Sequence, residues 1–327
     1  MSIESQDELI IRRWHETLSG EIMLTLIITE DKRSEAFAVF CDQLSALASQ
    51  VHITKKKSDS EQIPAIQVGP NIRYQAIPGG KELTPFLEVL TLLDAQSDSE
   101  GKFNKVIENI TIPAELRLFI AGNCSFCPRV VQQIAPLAIA NELIRLAIID
   151  ASLFDEKAQS DGIRSVPTIL LDGQYRWTGT IQIEDIIEML INRDPAHLGT
   201  AALRNIIEEG NAARVADLML EQGLIFPSFL DLLVHKKWPV RLGAIVTLET
   251  VIEKNSVIAA QVVDPLLERY PMVDDQVKGD ILYILGETGD QKITVELENV
   301  FKKSGNPELQ ESAREAVMRI WERRQPI

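Results

Sequence analysis

The chain has 327 residues, 45% of them hydrophobic and 25% charged, a globular composition that excludes a disordered or fibrous protein. This length exceeds what one core usually serves, so two or three domains are expected. Lys and Arg total 33 against 48 Asp and Glu, a formal charge of −15, which repels phosphate backbones and anionic lipid and argues against nucleic acid or a membrane surface as partner.

The segment opening Met1-Ser-Ile-Glu-Ser-Gln-Asp-Glu-Leu9 has no basic region followed by an apolar run, and no apolar stretch approaches the length of a membrane span. A cytoplasmic protein is expected. Residues 6–18 carry a helical period that stops at Ser19-Gly20, and Ile22 to Ile28 is a continuous apolar run of strand length. The pattern then predicts a helix over Ser34 to Ala48 and strands over Val51 to Thr54, Ala65 to Val68 and Ile72 to Ile77. A helix from Glu82 to Leu93 follows the Pro78-Gly79-Gly80 break. The order is βαβββα.

Ser97 to Gly101 is small and polar and reads as a linker, with Phe103 to Ile107 as part of a connecting helix. The order then returns: strand Glu115 to Ala121, helix Cys124 to Ala140, strand Leu143 to Ile149, a short helix Leu153 to Ser160, strands Thr168 to Leu171 and Gln174 to Thr178, and helix Ile183 to Ile191 before Asp194-Pro195. Each half has a proline entering its third strand, Pro64 and Pro167, preceded by Ile63 and Val166. A proline there is either a strand-edge stop or a cis peptide beside a site. The cysteine motif described next favours the second reading for Pro167; for Pro64 both stay open.

From Pro195 onward only helical periods remain. The segments starting at Trp238, Asp275 and Pro307 superimpose in sequence, with Val240, Val277 and Leu309 in register, followed by Ala244, Ile281 and Ala313. Intervals of 37 and 32 residues suit two-helix solenoid repeats and are similar to HEAT or armadillo-like repeats. Trp238, Tyr270, Tyr283 and Trp321 are expected between repeat helices rather than on a partner surface.

The chemistry is carried by Cys124-Ser-Phe-Cys127, which follows a strand and opens a helix. Free amides and the positive helix end favour the Cys124 thiolate, and Cys127, one turn on, is placed to resolve a mixed disulfide. Pro128 is tolerated in a first turn. A zinc site would need a second ligand pair that the sequence lacks, so neither metal nor cofactor is called for. Cys41, beside Phe37 and Phe40, reads as an inert core thiol.

Asn123 to Val131, Leu146 to Asp150, Ser165 to Ile169 and Ile77 to Glu82 together resemble the tandem thioredoxin-fold domain of the alkyl hydroperoxide reductase flavoprotein and the related two-unit, glutaredoxin-like protein disulfide oxidoreductases, over roughly residues 6–194. The resemblance implies α/β tandem thioredoxin-like folds followed by an all-α HEAT-like solenoid. Residues 1–95 form the unit lacking CxxC, 96–112 a linker, 113–194 the unit with the redox CxxC and 195–327 the helical repeats. In the first unit the expected cysteines are replaced by Glu30-Asp31-Lys32-Arg33.

The resemblance further implies that Glu82 takes the Cys127 proton, that Val166 and Pro167, with Phe126, meet an extended substrate segment, and that a flavoprotein reductase supplies electrons. The nicotinamide-domain fingerprint GxGxxG is missing, so the electrons are expected from another molecule. The expected function is a dithiol-disulfide oxidoreductase reducing protein disulfides, with the helical region recognising a protein partner. The alternative is a redox-sensing adaptor in which the Cys124/Cys127 pair switches partner binding without turnover.

Overall fold

Why the strands assemble where they do follows from which edges they leave open. The protein is described here by a computed structural model that covers residues 3–58, 62–94, 107, 109–110, 112–208 and 210–323. Two units result, Met1–Arg193 and Asp194–Ile327.

In the first unit, helix α1 (Ser5–His15) precedes β1 (Ile22–Ile28), α2 (Ser34–Leu47), β2 (Val51–Lys57), β3 (Ala65–Val68), β4 (Ile72–Gln75) and α3 (Leu83–Asp94). The second half repeats the order with β5 (Ala114–Ile120), α4 (Cys127–Ala140), β6 (Ile144–Asp150), α5 (Asp155–Ser160), β7 (Thr168–Leu171), β8 (Tyr175–Thr178) and α6 (Ile183–Asn192). The apolar runs at 22–28, 65–68 and 168–171 are strands with the bounds their patterns predict. The linker assigned to 96–112 and the helix from Phe103 lie largely outside the described residues.

The halves do not form separate sheets. One eight-stranded sheet runs β2-β1-β3-β4-β6-β5-β7-β8, joined by parallel pairing of β4 with β6 from Ile72↔Leu146 to Gln75↔Ile149. Each half alone would present a bare strand edge at this point, and pairing them removes both. Of the remaining edges, β2 carries Lys55, Lys56 and Lys57, charges that oppose further strand addition, while β8 is only four residues long. Helix α3 packs on α4 across the join, and the core runs without a break from Phe37 and Phe86 to Phe119 and Ile186.

Two pairs fix the ends of this unit. Arg193 Nε lies 3.1 Å from Asp172 Oδ2, both side chains 1% exposed, and the guanidinium also donates to the carbonyls of Leu190, Ile112 and Pro113. Arg33, at the position where the first half lacks its cysteines, pairs with Asp31 and Glu156. It also donates to the Leu153 carbonyl and lies 4.3 Å over the Phe154 ring. The vacated redox position thus clamps one half to the other.

The second unit is all α: α7 (Thr200–Glu208), α8 (Ala212–Gln222), α9 (Pro227–Leu233), α10 (Trp238–Lys254), α11 (Ser256–Ala259), α12 (Val263–Arg269), α13 (Asp275–Thr288), α14 (Thr294–Lys303) and α15 (Pro307–Glu322). The three superimposed segments each begin a helix, and their register positions Val240, Val277 and Leu309 are buried, as are Ala244, Ile281 and Ala313. Gly286 lets α13 approach α15: a Cβ there would stand 2.9 Å from Ala316 Cα.

The aromatic expectation changes. Trp238 is 43% and Trp321 49% exposed, whereas half-buried Tyr283 bonds Glu249 at 2.7 Å under Arg319. On α10 the spacing of four puts Trp238, Leu242 and Val246 on one exposed face. Among the described residues no helix is long and apolar enough to cross a membrane.

Candidate redox site

Strand β5 delivers the chain to a tight turn, closed by the Cys124 amide donating to the Ala121 carbonyl at 2.9 Å. The helix expected to open at Cys124 begins instead at Cys127. A proline is free of cost only within the first helical turn, so Pro128 holds the start close to itself and leaves Cys124 in the turn ahead. The electrostatic consequence survives, because the Cys127 N–H points at Cys124 Sγ, 3.1 Å away.

Cys124 and Cys127 are joined as a disulfide with Cα atoms 5.6 Å apart. Their environments differ. Cys127 is fully buried, Cys124 is half-buried, and Phe126 between them is 74% exposed. Polypeptide approaching this surface can reach one sulfur and not the other. Val166–Pro167 is the one cis peptide bond among the described residues, so Pro64 follows the strand-stop reading. The Val166 carbonyl oxygen stands 3.9 Å from Cys124 Sγ, and β7 begins only at Thr168, which leaves the Val166 backbone outside the strand ladder.

The first half contributes a short 3₁₀ turn, Gly80–Glu82, that packs against α4. Lys81 Nζ donates to Ser125 Oγ at 3.0 Å and to the Asn123 carbonyl at 3.4 Å, laying a cation over the motif where it favours a thiolate. Glu82 is 3% exposed, and neither carboxylate oxygen has a hydrogen-bond partner. Burial, reinforced by the Asp150 carboxylate, pushes its carboxyl up to about 7. Asp150 ends β6 opposite Ile120, the last residue of β5. Tyr74 is fully buried, and burial together with the Glu82 charge raises its phenol well above the usual value.

The structure therefore brings Cys124, Cys127, Phe126, Val166 and Pro167 to one place and sets the turn carrying Glu82 against the motif's helix. Sequence reasoning gave no role to Lys81 or to Asp7, whose Oδ2 accepts the Gly80 amide at 2.9 Å. Both contacts join residues more than 40 positions apart, and only the Gly79-Gly80 pair hinted at a built loop. Cys41 is buried away from the motif, and burial pushes its thiol up to about 12.

Residues 115–192 match the family model described as thioredoxin domain. A protein named NADH dehydrogenase from Ferdinandcohnia aciditolerans is 28% identical over 198 residues, which is 58% of this chain and 37% of that protein. The alkyl hydroperoxide reductase flavoprotein AhpF of Staphylococcus epidermidis is 26% identical over 183 residues, 54% of this chain and 35% of its own. The chain thus spans little more than a third of the curated relatives it matches. Among solved structures, AhpF of Enterococcus faecalis (C503A mutant) superimposes with TM-score 0.51 at 20% identity, covering 58% of this chain and 100% of that one. A protein disulfide oxidoreductase from Aeropyrum pernix does so with TM-score 0.53 at 17% identity, covering 62% and 94%. At such identities the likeness is one of fold. Residues 115–192 are a thioredoxin domain, and together with the first half of the sheet they make the tandem thioredoxin fold shared by AhpF and the protein disulfide oxidoreductases.

Proposed function

We propose that this chain is a dithiol-disulfide oxidoreductase that reduces protein disulfides. The observation carrying the reading is the asymmetry of the pair: Cys124 is reachable and faces an amide donor, while Cys127 is sealed behind it. Reduced Cys124 attacks one sulfur of the substrate disulfide as a thiolate, forming a mixed disulfide and expelling the first substrate thiolate. Glu82, with its carboxyl near neutrality, accepts the Cys127 proton. The Cys127 thiolate then attacks Cys124 Sγ, breaking the mixed disulfide and releasing the second substrate thiolate, which takes up a proton.

Two electrons leave the dithiol and the Cys124–Cys127 disulfide remains. A flavoprotein reductase is the proposed source of the two electrons that reset it. Cytoplasmic thiol pools, which keep such a pair reduced, suit this direction. Val166, Pro167 and Phe126 form the surface against which the substrate segment lies. The helical unit, read as HEAT-like repeats, recognises a protein partner through the exposed Trp238-Leu242-Val246 face of α10.

The test uses dithiothreitol-reduced protein and insulin. Cys124→Ser abolishes turnover, and Cys127→Ser accumulates mixed disulfides identifiable by mass spectrometry. Wild-type turnover in Cys124→Ser rejects the assignment. The exposed α10 face also supports the adaptor reading, in which oxidation state sets partner affinity. Equal capture of partners by oxidised and reduced protein removes it.

A further inference from the structure

Beside the Val166–Pro167 loop lies a groove of about 480 Å³ lined by Gly162, Arg164, Ser165, Thr168, Arg176 and Thr178. Its hydroxyls are mutually occupied: Thr168 Oγ1 donates to the Ser165 carbonyl at 2.8 Å and shares a bond with Thr178 Oγ1 at 3.0 Å. Its charges are not. Arg176 is held by two neutral acceptors, the carbonyls of Gly162 at 2.8 Å and Asp161 at 2.7 Å, so its positive charge is positioned without being cancelled. Arg164 is exposed and has no ion pair or hydrogen bond with any described residue.

The neighbouring carboxylates are already committed. Asp161 is shared by Arg117 and Lys157, and Glu156 by Arg33. Exposed Arg129 in the first turn of α4 and Lys81 over Ser125 add two more cations around the motif. Residues 1–194 hold 18 basic against 28 acidic residues. A cationic rim on this face therefore runs against the charge of the rest of the unit.

We infer that this groove is a specificity subsite for acidic side chains in the polypeptide flanking the substrate disulfide, an inference that rests on the oxidoreductase reading. Arg164 precedes Val166 by two residues. A substrate strand lying along Val166 with its sulfur at Cys124 Sγ brings side chains about two residues from its cysteine, roughly 7 Å along an extended chain, to Arg164 and Arg176. The negative chain as a whole repels an acidic partner at long range. The local cations reward only a segment seated with its disulfide in place.

The experiment measures single-turnover rate constants of pre-reduced full-length protein. The substrates are two synthetic heptapeptides, each carrying one cysteine as a mixed disulfide with 2-mercaptoethanol, flanked by Asp in one and by Lys in the other. Wild type is expected to favour the Asp peptide about fivefold at low salt, with the ratio shrinking at high salt. Arg164→Glu is expected to invert the preference, and Arg164→Lys to keep it. A wild-type ratio near one, or an Arg164→Glu loss common to both peptides, overturns the subsite while leaving the redox reading standing. Failure of wild type to react with either peptide removes the redox reading and the subsite with it.

Discussion

Asp7 on α1 accepts the amide of Gly80 at 2.9 Å, and through that bond the first helix of the chain holds the turn that carries Lys81 and Glu82 to the dithiol. Gly80 has φ +56°, a conformation that a glycine adopts without cost. The half of the protein that has no cysteines therefore supplies the charges around those of the other half.

Removing this tether tests it as a positioning device. Asp7→Ala is expected to lower the second-order rate of disulfide reduction several-fold and to shift the pH at which the rate rises, because Glu82 is no longer held in its dry position. Asp7→Asn keeps an acceptor and restores both. The pH–rate profile of the three proteins is the measurement, since a lost hydrogen bond alone costs stability of about 1 kcal/mol without moving an apparent pKa.

Glu82 makes a second prediction with a defined sign. Its folded pKa is raised from 4.5 to about 7, so the folded state binds its proton more tightly than the unfolded chain. Stability from this group is present below pH 4.5 and is lost as pH rises through 7, by about 3 kcal/mol at 1.36 kcal/mol per unit. Glu82→Gln, which has nothing to ionise, is accordingly expected to gain on wild type in denaturant titrations between pH 5 and 8. The same change should flatten the rise in resolution rate through neutrality. Parallel stability curves for the two proteins would show that the carboxyl is not shielded from water.

The Arg33 clamp predicts acid behaviour of the opposite sign. Hydrogen bonding to Arg33 lowers the Glu156 carboxyl to about 2. Its contribution is present above pH 4.5 and lost as pH falls through 2. Arg33→Met is expected to destabilise the first unit by about 1–3 kcal/mol through the lost hydrogen bonds and the contact over Phe154, and to flatten the acid limb of the stability curve. Circular dichroism melts at pH 7 and pH 2.5 compare the two.

Asp172→Asn probes the buried pair. Asp172 has φ 53°, which Asn tolerates well, and the amide oxygen can still accept the Glu115 N–H that Asp172 Oδ1 accepts at 2.9 Å. What disappears is the counter-charge of a guanidinium 1% exposed. Stranding such a charge costs about 3–5 kcal/mol, and a denaturation midpoint within error of wild type would contradict the assignment.

In the second unit, Gly286→Ala drives a methyl to 2.9 Å from Ala316 Cα, a backbone contact that cannot rotate away. Faster amide exchange in α13 and α15 of the intact chain, by an amount equivalent to about 1–3 kcal/mol, is the expected result.

Much of this was open to reading from the residues in order. The apolar run Ile22 to Ile28, the β-branched entry at Val166-Pro167 and the doubled order of elements follow from side-chain period and proline chemistry, which act over a few neighbours. The Cys124-Ser-Phe-Cys127 spacing declares its chemistry by the same local rule, although Pro128 moved the helix start three residues on. The tertiary structure alone decided that β4 and β6 fuse two sheets into one, because strand edges pair through backbone groups common to every residue. It also decided that Lys81 reaches Ser125, that Asp7 holds Gly80, and that Arg33 fills the place of the missing cysteines. Those contacts join positions 44, 73 and more than 100 residues apart. Charges so distant in the chain acquire their meaning only when packing excludes the water that would otherwise separate them.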